Sequence, residues 1–210
     1  MKQQEESKSN ADRVGRANIS KAAQVLKAGG IVIFPTDTVY GIGCRYDDPK
    51  AIARLRQVKG TPKSQNFPIL VSRISQVRKL AKIVPLAQKL IKKYWPGALT
   101  IILTGLSTYS NPGLKQLHKP GLPNKIGFRM PNSKLVLALI QKVGVPIVGT
   151  SANFHGHPTQ SSYKQLDPEL IKLADFVIKG QCQKGIESTV IDTTVNPPKI
   201  LRQGAVQLIY

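Results

Sequence analysis

Short runs of consecutive apolar residues alternate along this chain with stretches whose apolar residues recur every three or four positions. Ile31-Val32-Ile33-Phe34 is such a run, stopped by Pro35, and reads as a buried strand. Ahead of it, Ser20 is placed to cap a helix with the apolar face Ala22, Ala23, Val25 and Leu26, closed by Gly29-Gly30. Asp48-Pro49 opens a second helix through Ala51, Ile52 and Leu55, ending near Lys59-Gly60. The same patterning predicts strands over 67–71, 98–103, 125–129, 145–149, 176–178, 188–192 and 200–202. It predicts helices over 75–80, 85–94, 133–142 and 168–173. Residues 36–44 read as a loop. Residues 104–124 read as a Gly/Pro-rich connection containing Asn111-Pro112-Gly113 and Lys119-Pro120-Gly121. Residues 1–17 are polar without apolar periodicity and read as an arm before a single domain, 18–210. Helices interleaved with short strands imply an α/β sheet with mixed strand directions.

Composition changes this picture mainly through charge. Among 210 residues, 31 Lys and Arg face 11 Asp and Glu, a formal net charge of +20. Between Pro49 and Leu166 there are 19 Lys or Arg and no acidic residue. That stretch can supply neither a carboxylate dyad nor an acidic Mg²⁺ cluster, and it suits polyanions such as nucleotides or an RNA backbone. No apolar run reaches the length of a membrane helix, and the polar N-terminus has no signal-peptide core. Two cysteines, Cys44 and Cys182, make no disulfide framework, so the expected home is a reducing cytoplasm.

Familiar chemical templates fail. Gly60-Thr61-Pro62-Lys63-Ser64 puts proline where a phosphate-wrapping loop needs a glycine N–H. His118, His155 and His157 lie in two loop segments without nearby Cys, Asp or Glu to complete a zinc shell, so no metal site is expected. Five hydroxyl-, glycine- or cation-rich segments at predicted strand ends remain: 35–43, 59–63, 149–153, 185–189 and 201–204. Ligands of open α/β sheets sit at strand ends, so these segments are expected to converge on one site.

At these residues the chain resembles the YrdC family, the TsaC-type threonylcarbamoyl-AMP synthases. The blocks are Pro35 to Gly43, the Lys59 segment, Trp95-Pro96-Gly97-Ala98-Leu99-Thr100 and Phe128-Arg129-Met130-Pro131. They continue as Ser151-Ala152-Asn153, Gly185-Ile186-Glu187-Ser188-Thr189-Val190 and Ile200-Leu201-Arg202-Gln203-Gly204-Ala205, in family order. The resemblance implies a twisted open mixed sheet around a concave, positively charged cavity. It implies a nucleotidyl transfer joining L-threonine, bicarbonate and ATP into L-threonylcarbamoyladenylate, with pyrophosphate and water released. That is the first step of t6A modification of tRNA, which partner proteins complete. Mg²⁺ would be held mainly by the phosphates.

The resemblance also assigns roles by position. Thr38, Arg129, Gly149 and Ser188 fall where the family binds threonine, Arg129 supplying a planar fork for its carboxylate. Lys125, Ser151, Thr159 and Arg202 fall where it contacts ATP. Lys59, Ser151 and Asn153 belong to its Lys-x-Arg and Ser-x-Asn signatures, implicated in catalysis. One position departs: Thr61 stands where the family has the ATP-holding arginine, and Lys63 is the candidate substitute. Losing a charge-assisted bond costs about 1.5–3 kcal/mol, roughly one to two decades of affinity. The segment 64–68 is also about one residue longer than the family's, so Gln65 and Asn66 take no assigned role. The alternative reading is a YrdC-like RNA-binding protein without synthase activity, motivated by Thr61 and by the charge. Its 6% of aromatic residues is low for a single-strand stacking platform.

Overall fold

Local chemistry sets the helices. In the computed structural model, which describes residues 2–62, 65–106 and 124–209, helix α2 (Pro49–Lys59) begins at Asp48. That carboxylate accepts from the N–H groups of Lys50 and Ala51, and Gly60 closes the helix in the left-handed region at φ 62°. Helix α5 (Lys134–Val143) is capped by Ser133 and closed by Gly144 at φ 90°. Helices α3 (Ile74–Arg78), α4 (Pro85–Tyr94) and α6 (Pro168–Leu173) stand close to their predicted spans. Helix α1 differs: it runs without interruption from Lys2 to Lys27. Ser20 therefore caps nothing, and its hydroxyl donates to Arg16 O one turn back. The residues expected to form an arm include Lys, Gln, Glu, Ala and Arg, all good helix formers, with no proline and with Gly15 the one weak position, so lack of an apolar stripe did not mean lack of helix.

Among the described residues, ten strands form one sheet. They are β1 (Val32–Phe34), β2 (Gly41–Arg45), β3 (Ile69–Leu70), β4 (Ala81–Lys82), β5 (Leu99–Gly105), β6 (Lys125–Arg129), β7 (Ile147–Ser151), β8 (Phe176–Val177), β9 (Thr189–Asp192) and β10 (Lys199–Arg202). Their order is β10-β9-β5-β6-β3-β7-β2-β1-β8, with β4 also pairing β5. Three neighbours run parallel, β1 with β8, β3 with β6 and β5 with β9, and the rest antiparallel. Strand directions are mixed, as expected. Two boundaries moved. Gly41 to Cys44, at the end of the expected loop 36–44, form with Arg45 the buried strand β2; its alternating glycines mask the strand pattern. Strand β7 starts at Ile147 and runs on to Ser151, so Thr150 and Ser151 lie within it rather than beyond it. Strand β4 was missed; two residues carry too little pattern. Most of the 104–124 connection, His118 included, lies outside the described residues.

Side-chain alternation gives each strand two faces. One face, carrying Ile33, Ile42, Ile69, Ile101, Phe128, Val148 and Ile191, packs on α2, α3, α4 and α6 through Leu55, Val77, Leu90 and Leu170. The other face, carrying Val32, Phe34, Leu70 and Ile147, packs on α1 and α5 through Ala22, Leu26, Leu139 and Ile140. Helices α1 and α5 cover only the β1–β3–β7 side. Over β5, β6, β9 and β10 that second face carries no helix among the described residues, and the functional cleft opens there.

Strands β2 and β7 approach closely where Gly43 faces Gly149. A Cβ built on Gly43 would stand 2.2 Å from Val148 O, a backbone atom that cannot swing aside. Gly43→Ala is expected to destabilise the fold by about 3 kcal/mol, at the upper end of overpacking costs. Urea denaturation measures this, and an unchanged midpoint would contradict the close approach.

Candidate active site

The uncovered sheet face forms a cavity of about 450 Å³. Its walls are period-two residues of the same face: Thr100 and Ile102 of β5, Lys125, Gly127 and Arg129 of β6, Leu70 of β3, and Gly149 and Ser151 of β7. Thr36 to Gly41 close one side and Glu187, Ser188, Leu201 and Arg202 the other. The hollow exists partly because Gly41, Gly127 and Gly149 contribute no side chains to it. Of the five candidate segments, 35–43, 149–153, 185–189 and 201–204 each place residues on this cavity.

Arg129 is the anchor. It is 7% exposed, and its partner Asp37 is 1% exposed. The guanidinium Nε donates to Gly97 O at 3.0 Å, Nη1 to Thr38 Oγ1 at 2.8 Å and Nη2 to Asp37 Oδ1 at 2.6 Å. Burial pulls its pKa below the ordinary arginine value, and the Asp37 carboxylate opposes that fall. Three of the five guanidinium N–H groups are thus engaged by the protein, leaving two for a carboxylate in the cavity. Thr38 is itself fixed: Thr36 and Thr38 hydroxyls lie 3.0 Å apart, and Thr36 Oγ1 donates to Val39 O at 2.8 Å.

Two further cations are held by acids. Lys125 Nζ pairs with Asp192 Oδ2 at 2.8 Å. Burial is the largest single influence on the Asp192 pKa and raises it, but that bond and two from Thr194 together outweigh it and hold the carboxyl below its ordinary value. Arg202 pairs with Glu187 at 2.5 Å, and its Nε donates to Ser188 O at 3.0 Å. Ser188 Oγ lies 2.9 Å from Thr100 Oγ1, which joins the two walls. Among the described lining residues Lys125, Arg129 and Arg202 are the cations and Glu187 bears the one carboxylate, already committed to Arg202. Asp37, Thr36, Thr100, Glu187 and Asp192 were not foreseen. Thr36, Asp37 and Glu187 lie within the candidate segments 35–43 and 185–189 and Thr100 within the block 95–100, without a role of their own; Asp192 lies outside both, and its place as an acid beyond the basic stretch was its only sequence signal.

Residues 24–204 match the family model described as Telomere recombination, the Sua5/YciO/YrdC model. The chain belongs to that family. It is 34% identical over 194 residues to a threonylcarbamoyl-AMP synthase of Bacillus subtilis, covering 90% of this chain and 54% of that protein. The crystal structure of Pyrococcus abyssi Sua5 complexed with L-threonine superposes with a TM-score of 0.79 at 34% identity, covering 89% of this chain and 54% of that one. Escherichia coli YciO superposes with a TM-score of 0.81 at 29% identity, covering 92% and 91%. The chain thus spans about half the length of the B. subtilis and P. abyssi synthases, and nearly all of YciO.

The family signatures divide in space. Thr38, Arg129, Gly149, Ser188, Lys125, Ser151 and Arg202 meet at the cavity. Lys59, Thr61, Asn153 and Thr159 do not line it, and Lys63 lies outside the described residues. Lys59 is 4% exposed and donates from Nζ to the backbone carbonyls of Ser151, at 2.5 Å, and of Asn153. It clamps the end of β7 from behind. Thr61 is buried, its Oγ1 without a hydrogen-bond partner among the described residues. What this segment shows the cavity instead is Gln65 and Asn66. Arg56 braces them, donating from Nη1 to Pro62 O at 2.7 Å and Gln65 O at 2.8 Å, with its guanidinium 4.9 Å above the Phe67 ring centroid.

Burial lowers the Lys59 pKa from 10.5 to about 8, with Glu187 pulling weakly the other way. Below that value Lys59 is protonated in both folded and unfolded chains, and pH has no leverage through it. Between about 8 and 10.5 the unfolded chain binds the extra proton, so folding stability rises with pH. A Lys59→Met variant is expected to lack that rise, a difference of up to about 3 kcal/mol across the window. Parallel denaturation curves at the two ends of the window test it; equal pH slopes would refute the burial argument.

Proposed function

We propose that the chain is an L-threonylcarbamoyladenylate synthase. It would convert L-threonine, bicarbonate and ATP into L-threonylcarbamoyl-AMP, pyrophosphate and water. The observation that carries this is the buried Arg129 fork beside Thr38 and Ser188, in one cavity with Lys125, Ser151 and Arg202. Two unengaged guanidinium N–H groups match one carboxylate, and the remaining cations match a polyphosphate. The names of the B. subtilis and P. abyssi relatives agree with that pairing.

In this reading Arg129 holds the threonine carboxylate, with Thr38 and Ser188 contacting the amino acid and Gly149 leaving room beside it. Threonine's amine captures the carbon of bicarbonate as an N-carboxylate, with loss of water. One of its oxygens bonds to the α-phosphorus as the bond from that phosphorus to the bridging oxygen breaks, releasing pyrophosphate. Lys125, Ser151 and Arg202 orient the nucleotide, Thr159 standing off the cavity, and Lys63 with the amides of Gln65 and Asn66 stands in for the arginine missing at Thr61. No protein nucleophile is needed; catalysis rests on orientation and positive potential at phosphorus. Lys59 and Asn153 act by fixing the β7 end on which Ser151 sits. Mg²⁺ would enter with the nucleotide, because the lining carboxylate of Glu187 is tied to Arg202 and the other lining groups suit anions. The product would pass to partner proteins that modify tRNA in the cytoplasm. No described helix is long and apolar enough to cross a membrane.

The decisive assay is pyrophosphate release with Mg-ATP while L-threonine or bicarbonate is omitted in turn. Release is expected only when both are present; no release, with ATP failing to bind, would favour an RNA-binding role instead. A second test uses the hollow itself. A Cβ on Gly127 would meet Thr100 Cγ2 at 3.4 Å and Pro68 at 3.5 Å, ordinary contacts, so the site accepts a side chain that projects into the cavity. Gly127→Val is expected to cost less than about 1 kcal/mol of stability while pyrophosphate release falls at least ten-fold. A thermal melt alongside the assay separates these effects.

A further inference from the structure

The cleft face of the sheet continues outwards past the cavity, and register shows what stands on it. Asp192 of β9 faces Ile102 of β5, which lines the cavity, and Lys199 of β10 faces Asp192. Cross-strand partners point to the same side of a sheet, so Asp192 and Lys199 share the cavity's face. Beyond the end of β9, strand β4 takes up pairing with β5, Lys82 facing Thr104. Thr104 lies two residues from Ile102 and also faces Lys125, so Lys82 stands on the same face. Ala81, its neighbour, goes into the opposite core. Asp192 is therefore approached from three strands. Lys125 reaches it across β5 at 2.8 Å, Lys199 is its cross-strand neighbour, and Lys82 sits about 7 Å further along, two strand residues.

Lys82 and Lys199 are exposed and make no ion pair among the described residues. Asp192 Oδ1 is occupied by Thr194, whose N–H and hydroxyl donate at 2.9 and 2.6 Å. Three lysines and one carboxylate thus share this stretch of the face, a net charge of +2, next to the cavity that Lys125 lines. Lysine stems of four carbons let these groups converge on one tetrahedral anion. Nothing in the folding of the sheet calls for that excess, because exposed like charges at this spacing repel.

We propose that Lys82, Lys199 and Lys125 form an outer anion subsite that takes the terminal phosphates of a nucleoside triphosphate, with the nucleoside end lying nearer Ser151 and Arg202. The nucleotide's identity rests on the synthase reading; the subsite itself is a claim about polyphosphate. Asp192 keeps Lys125 turned outwards towards it.

The test compares the wild-type protein with a Lys82→Met/Lys199→Met double variant, both positions being exposed and outside the packed core. Isothermal titration with ATP, with AMP and with inorganic tripolyphosphate is run at low and high salt, and a thermal melt checks the fold. The ATP and tripolyphosphate dissociation constants are expected to rise about ten-fold in the variant. AMP binding stays the same, and the gap narrows at high salt. Equal weakening of ATP and AMP would reduce the lysines to a general field and overturn the subsite. So would unchanged ATP binding, or a wild-type protein that binds no tripolyphosphate. Tripolyphosphate binding without threonine-dependent pyrophosphate release would instead retain the subsite and remove the synthase.

Discussion

A buried guanidinium cannot be left in a protein interior without partners, and the Arg129 side of this molecule is arranged around that requirement. Arg129 projects from the middle of the sheet and draws a carbonyl from the turn before β5 and two side chains from the loop after β1. Those contacts fix the loop 35–40 against the sheet, which in turn sets one wall of the cavity. Removing the charge would leave Asp37 buried and unpaired, an arrangement that costs several kcal/mol. The group that best suits a ligand carboxylate is thus also a hinge-pin of the wall around it.

Charge is distributed with a matching logic. The acid-free stretch contributes Lys125 and Arg129, while Asp37, Glu187 and Asp192 come from the chain on either side of it. Each of these acids holds one cation of the cleft: Asp37 holds Arg129, Asp192 holds Lys125 and Glu187 holds Arg202. Each pair takes up only part of its cation's donor set, so further N–H donors remain on Lys125, Arg129 and Arg202. The acids fix the direction in which each cation is held.

The elements easiest to read from sequence were those with strong local chemistry. Asp48-Pro49 and Gly60 marked both ends of α2, and Lys125 to Arg129 was read to the residue. Strand β2 was hidden because its cavity face is glycine, so its alternation is glycine against apolar rather than polar against apolar. The first part of helix α1 was hidden for the opposite reason, a polar sequence without apolar periodicity before Ile19. Convergence of the strand-end segments followed from the general habit of α/β sheets. The withdrawal of Lys59 and Thr61 behind the wall did not, because spacing along a chain does not say which side of a strand a neighbouring helix approaches. The bracing of Gln65 and Asn66 by Arg56 is a nine-residue return that no periodicity announces.

The floor of the cavity is made by omission. Gly41, Gly127 and Gly149 contribute backbone where other strands contribute side chains, and Gly43 lets β2 and β7 close beneath them. A pocket shaped by large residues can be widened by trimming them. One floored by glycine has nothing left to trim, so mutation there can only shrink it. Selection acting on this floor can exclude bulky substrates one methyl group at a time. Any gain in accepted size must come from the walls, where Leu70, Leu201 and the segment bearing Gln65 and Asn66 still have atoms to give up.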